Sequence, residues 1–89
     1  MARNWEFTEH AKSEAARRGV SEETVLAVAR APEQRIASRS GREIRQSRMI
    51  DPVSGKLQLV RVVVEVGPDH DTIVTVYRSS KISKYWSQQ

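Results

Sequence analysis

Apolar positions recur with helical spacing through the first third of the chain and at alternate residues after it. Thr8 stands as a helix N-cap with Glu9 in the first turn, where the helix dipole favours an acid. The helix it opens runs through Ala11, Ala15 and Ala16 to Arg17 and Arg18, and Gly19 supplies a left-handed stop. Ser21 is a second N-cap, followed by Glu22 and Glu23, and Val25, Leu26, Val28 and Ala29 give the second helix its buried side. Pro32 ends that helix and pushes Ala31 toward extended geometry. From Gln34 the period becomes two. Strands are predicted over 34–39, 42–50, 57–66 and 72–78, with turns at Ser40-Gly41, at Asp51 to Gly55 and at Gly67 to Asp71. The segment 79–89 reads as a helical turn or an irregular extension.

Short turns between successive strands imply antiparallel neighbours, because a parallel crossover needs a dozen or more residues. The expected architecture is therefore α+β: two N-terminal helices packed on a four-stranded antiparallel sheet, in the order ααββββ, as one domain over 1–89. On the third of these strands Val60, Val62, Val64 and Val66 form an apolar row that should meet the helices, with Leu59, Arg61, Val63 and Glu65 pointing the other way. On the fourth, Val74 and Val76 match the buried row, and Thr75 and Tyr77 join Arg61 on the open face. No linker, repeat or low-complexity segment interrupts the pattern.

Eighty-nine residues leave room for one modest core, and 38% hydrophobic with 29% charged residues is a globular composition. No apolar run is long enough to span a bilayer, since Gln58, Arg61 and Glu65 interrupt the most hydrophobic stretch. The opening Met1-Ala2-Arg3-Asn4-Trp5-Glu6 lacks the apolar core of a secretory signal, and there is no cysteine; a cytoplasmic location is expected. Charge changes the picture more. The net charge is +4, eleven of the fifteen basic residues are Arg, and Arg30, Arg35, Arg39, Arg42, Arg45 and Arg48 follow one another with only Glu33 and Glu43 between them. After Asp71 there are no acids, while Arg78, Lys81 and Lys84 remain. Guanidinium forks suit bidentate phosphate contacts, so nucleic acid is the first partner suggested. The competing reading is a solvated strand face or a surface that docks an acidic protein.

The chemistry available is narrow. There is no Cys nucleophile and no Gly-x-Ser-x-Gly elbow, and the four glycines are too dispersed for a phosphate-cradling loop. Neither His10 nor His70 has a second ligand at metal spacing, so neither a metal nor another cofactor is expected. What remains suits attack on a phosphodiester by the 2′-hydroxyl of RNA, with His or Tyr moving protons and Arg or Lys holding the phosphate. The candidates are His10, Arg61, Thr75, Tyr77, Lys81 and Tyr85. Each has a structural alternative. His10 could pack beside Trp5, Arg61 could pair with Glu43 or Glu65, and Thr75 and Tyr77 are ordinary strand residues. Lys81, Lys84, Tyr85 and Trp86 either contact bases or clamp the last segment to the body. His70 beside Asp69 and Asp71 reads as a solvated turn residue.

The run Phe7-Thr8-Glu9-His10-Ala11, the stretch Arg18-Gly19-Val20-Ser21-Glu22-Glu23 with Val25, and the Ala31-Pro32-Glu33 break resemble a bacterial family called domain of unknown function 4258. So do Leu59 to Val64, Ile73 to Arg78 and the ending Lys81 to Trp86, so the resemblance covers nearly the whole chain. That family resembles the RelE-like toxins of the barnase, EndoU, colicin and RelE-type nuclease group. The resemblance implies a RelE-like fold and a toxin-type, metal-independent endoribonuclease, often controlled by a cognate antitoxin protein. It points to His10 as the proton-transfer group, Arg61 as the phosphate holder, and Thr75 and Tyr77 as orienting groups, with Arg18 structural or RNA-binding. Arg18, Arg45, Arg48, Arg78, Lys81, Lys84 and Tyr85 form the expected RNA-binding set. Where many members carry a second basic residue one turn after the histidine, this chain has Glu14, which either orients His10 or marks a member that no longer cleaves RNA. The alternative function is a non-catalytic module binding RNA or a protein through the basic sheet face, and a third is a regulatory partner that pairs through an exposed sheet edge.

Overall fold

The computed structural model describes residues 4–88; Met1, Ala2, Arg3 and Gln89, at the outer ends of the N-terminal and closing segments, lie outside the described residues. Both predicted caps form. Thr8 accepts the Ala11 amide at 2.9 Å and opens helix α1 (Glu9–Arg17). Ser21 accepts the Thr24 amide at 3.1 Å and opens α2 (Glu22–Arg30). Gly19, at φ 68°, breaks the chain between them in the left-handed region that a side chain disfavours.

The sheet differs from expectation. Among the described residues it has five strands rather than four, and it is mixed rather than wholly antiparallel. The extra strand is β1 (Asn4–Phe7), which pairs in parallel with the last strand, β5 (His70–Ser79). Between them in chain order come β2 (Gln34–Ala37), β3 (Arg42–Ile50) and β4 (Leu57–Val66), an antiparallel meander with β5, giving the sheet order β1-β5-β4-β3-β2. Four residues are too few to announce a strand by their period, and the partner of β1 lies at the far end of the chain. What fixes β1 is contact: Trp5 and Phe7 pack against the core, and the Thr8 amide donates to the Ile73 carbonyl at 3.1 Å. The Thr8 hydroxyl also donates to the Val74 carbonyl at 3.0 Å, so the cap of α1 is docked on β5. A third, very short helix, α3 (Ile82–Tyr85), follows β5.

The helices cover one face of the sheet. Ala11, Ala15, Val20, Val25, Val28 and Ala29 meet Val60, Val62, Val64, Ile73 and Val76 in a single apolar cluster. Two expected members are displaced. Val66, the last residue of β4, is 43% exposed. Val74 gives its place to Ile73, because the β4–β5 register slips by one residue beside Val63 and Val64 and Val74 is the residue left over. Beyond that bulge the alternation resumes as expected, with Val76 inward and Thr75 and Tyr77 outward. Three strand ends also move: β2 stops at Ala37 rather than Arg39, and β5 runs from His70 to Ser79 rather than from Thr72 to Arg78, taking His70 out of the turn.

Candidate functional site

β1 covers the outer edge of β5 only as far as Ile73, and α1 runs beside the remainder. His10, Glu14 and Arg18, spaced four apart, share one side of that helix. At its start the His10 Nε2 lies 3.1 Å from the Thr75 Oγ1, with the direction of the bond set by the ring tautomer. At its end the Arg18 guanidinium lies 5.3 Å from the centre of the Tyr77 ring. The helix therefore ties both outward residues of β5 to its own polar side. Glu14 stands between, engaged with arginines rather than with His10. It accepts from Arg17 at 2.9 and 3.0 Å and from Arg18 at 3.3 Å. The Arg17 hydrogen bonds, reinforced by Arg18, hold its carboxyl below the usual carboxylate range against an opposing desolvation. The Arg18 Nε is sealed from solvent without an acceptor, an orphaned donor beside the cleft described next.

Arg61 occupies the neighbouring strand directly opposite Tyr77. It pairs with neither Glu43 nor Glu65, which bind Arg45 and Arg42 instead. Its Nε donates to the Oε1 of Gln46 at 2.9 Å, and Gln46 is fully buried. Burial pushes the Arg61 guanidinium below its ordinary pKa, with Tyr85 and Tyr77 acting in the opposite sense, and an arginine in this state is still a cation. No protein acceptor engages its terminal amines among the described residues. Arg18, Ile44, Arg61, Val63, Tyr77 and Tyr85 line an open cleft of about 540 Å³ on this face.

The closing segment folds over one side of the same face. The Tyr85 ring covers Arg61 at 4.4 Å and the Trp86 ring covers Arg48 at 4.3 Å. Gln34 and the Ser87 backbone exchange two hydrogen bonds, of 2.9 and 3.0 Å, and Gln46 donates to the Tyr85 carbonyl at 3.1 Å. Leu59, on the same row as Arg61, is fully buried although it lies outside the helix-side core. Tyr85 and Trp86 thus clamp the last segment to the body, the structural alternative raised by the sequence.

The expected RNA-binding residues divide. Arg18, Arg61, Tyr77, Arg78 and Tyr85 share the cleft, and Thr75 and His10 adjoin it at the β5 edge. Arg45 does not: it is buried, donates to the Ala29 carbonyl at 2.8 Å and to Glu43, and faces the helices. Arg48 is held by Glu33 and Trp86. Arg78 makes a 3.4 Å contact with Asp51, Lys81 stands at the N-terminal end of α3 without a side-chain capping bond, and Lys84 lies 5.3 Å from the Tyr85 ring. Trp5 faces Arg45, not His10. His70 lies beside Asp69 at 3.0 Å and Glu6 at 3.8 Å. Gln46, the partner that sets Arg61, carries no signal in the sequence pattern; only the β3–β4 register, which puts the two opposite each other, exposes its role. Among the described residues no cluster of three His, Cys, Asp or Glu could hold a metal, and no helix is long and apolar enough to cross a membrane.

Residues 7–78 match the model of a family described as Domain of unknown function (DUF4258). No curated protein and no solved structure matches the chain.

Proposed function

The chain belongs to the DUF4258 family, and from that premise we propose that it is a metal-independent endoribonuclease of the toxin type. The observation that carries the reading is the bond between His10 and Thr75, which brings a proton-transfer group from the first helix to the edge of a face bearing Arg61, Arg18 and Tyr77. The scissile phosphate lies between the Arg61 and Arg18 guanidiniums, where the Arg61 terminal amines bond its oxygens and Arg18 adds positive charge at the cleft wall. His10 takes the proton of the 2′-hydroxyl, the 2′-oxygen bonds to phosphorus, and the bond from phosphorus to the 5′-oxygen breaks. The leaving 5′-oxygen takes a proton from water, and His10 returns its own to solvent. The products are a 2′,3′-cyclic phosphate and a 5′-hydroxyl. Thr75 fixes the imidazole, and Tyr77 orients Arg18 and the sugar-phosphate. Kinship with the barnase, EndoU, colicin and RelE-type nucleases, a cytoplasmic site of action and control by a cognate antitoxin belong to the same proposal.

A second reading, a non-catalytic module binding RNA or protein, is favoured by one observation: Arg61 already carries Tyr85 on one side and Gln46 on its Nε. Incubating total RNA with the purified protein in excess EDTA separates the two. Fragments from the wild type, with a loss of about 10²–10⁴-fold in rate for His10→Ala, support the enzyme. Intact RNA with a folded, partner-free protein leaves the binding module.

A further inference from the structure

The open face carries a second row beside the one the closing segment covers. Thr75, buried where it meets His10, and the partly buried Val63, Ile44 and Ile36 stand opposite one another across β5, β4, β3 and β2, a mostly apolar row leading from the His10 edge to the far edge of the sheet. Val63 and Ser38 line the Arg61 cleft and also a second cleft of about 440 Å³, whose other walls are Arg39, Ser40, Arg42 and Glu65. The two clefts are therefore one groove, spanning three strand spacings or about 14 Å. Its far end is a tight hairpin. Ser40 and Gly41 both have positive φ, of 57° and 75°, and the Arg42 amide donates to the Arg39 carbonyl at 3.1 Å. Arg39 has no ion pair among the described residues, and Arg42 meets Glu65 only at 3.6 Å.

We propose that this groove holds a single strand of RNA running from His10 to the β2–β3 hairpin, with Arg39 and Arg42 binding a phosphate beyond the scissile one. A mostly apolar row receives the faces of unstacked bases, which a duplex does not offer, and guanidiniums at both ends track the backbone. Glu65 lies in the groove with its charge offset by Arg42. Which phosphate is cut rests on the ribonuclease reading; binding along the groove is measured without it.

The test is fluorescence anisotropy of the full chain with a labelled, uncleavable 2′-O-methyl RNA hexanucleotide, its dinucleotide and its duplex. The single-stranded hexanucleotide is expected to bind at least tenfold more tightly than the other two. Arg39→Ala and Arg42→Gln should each weaken it several-fold and reduce the slope of log affinity against log salt by about 0.7. Lys56→Ala, which removes an equal charge from the β3–β4 turn, should not. Equal binding of dinucleotide and hexanucleotide, wild-type affinity in Arg39→Ala, or equal binding of the duplex would overturn the proposal. So would tighter binding of polyglutamate at the same arginines, which would make the groove a docking site for an acidic protein. An unmodified hexanucleotide bound in an Arg39-dependent way but left uncut would sink the ribonuclease reading and leave the groove standing.

Discussion

His10 and Thr75 lie 65 positions apart, and the bond between them could not be read from either residue alone. Sequence periodicity placed Thr75 on the open face but gave no means of knowing where the first helix would lie along the sheet. Thr75→Val keeps the shape of the side chain and removes its hydroxyl. On the proposed ribonuclease mechanism kcat is expected to fall about tenfold, less than for His10→Ala, because an imidazole without its orienting bond would still reach the 2′-hydroxyl proton. A kinetic comparison of the two proteins checks this; equal losses, or none in Thr75→Val, would remove Thr75 from the mechanism. Arg61 shows the opposite limit. Its placement was legible, its partner was not, since a carboxylate outranks an amide as a guess for an arginine and Gln46 became a candidate only when register was known. The carboxylates carry a further consequence. Glu14 is held below the ordinary carboxylate range chiefly by Arg17, and Glu33 chiefly by Arg48. A group whose pKa is lower when folded adds stability above its unfolded pKa and loses it as pH falls through its folded pKa. Melting temperature should therefore hold from neutral pH down to the usual carboxylate range and decline below it. The decline should be shallower in Glu14→Gln and Glu33→Gln, and stability that rose on acidification would contradict the assignment.

Among the elements, the strands over 42–50 and 57–66 and both helix caps were legible because each carries a repeating period or a local hydrogen-bond signature. β1 carries neither at four residues, and the bulge at Val74 is a property of two strands together. The closing segment was legible only as a choice between clamp and interface. It lies over Arg48 and Arg61 on the face where Leu59 is also fully buried. Leu59→Ala is accordingly expected to cost about 2–5 kcal/mol, as for a residue of the main core, although its side chain points away from the helices. Denaturant midpoints for this protein would show it. A cost well under 1 kcal/mol would mean that the segment lies loosely on the sheet.

In the molecule as a whole the arginine run that suggested nucleic acid proves heterogeneous. Arg45 is buried against Glu43 and the Ala29 carbonyl, and Arg48, still exposed, is engaged by Glu33 and the Trp86 ring; Arg39 and, weakly restrained, Arg42 remain on the open side. Composition therefore overstated the basic surface, and the fold selects which charges remain on the open side. Helices on one face and a cleft on the other place His10 at the one edge of β5 that β1 leaves to α1. The claim that matters most is that RNA supplies its own nucleophile there. A DNA strand carrying a single ribonucleotide within the groove-length sequence, incubated with the protein in EDTA, tests it most directly. One cut is expected, 3′ of the ribose, ending in a 2′,3′-cyclic phosphate and absent when that ribose is 2′-O-methylated. Cleavage elsewhere in the deoxy strand, or cleavage of the methylated control, would contradict it.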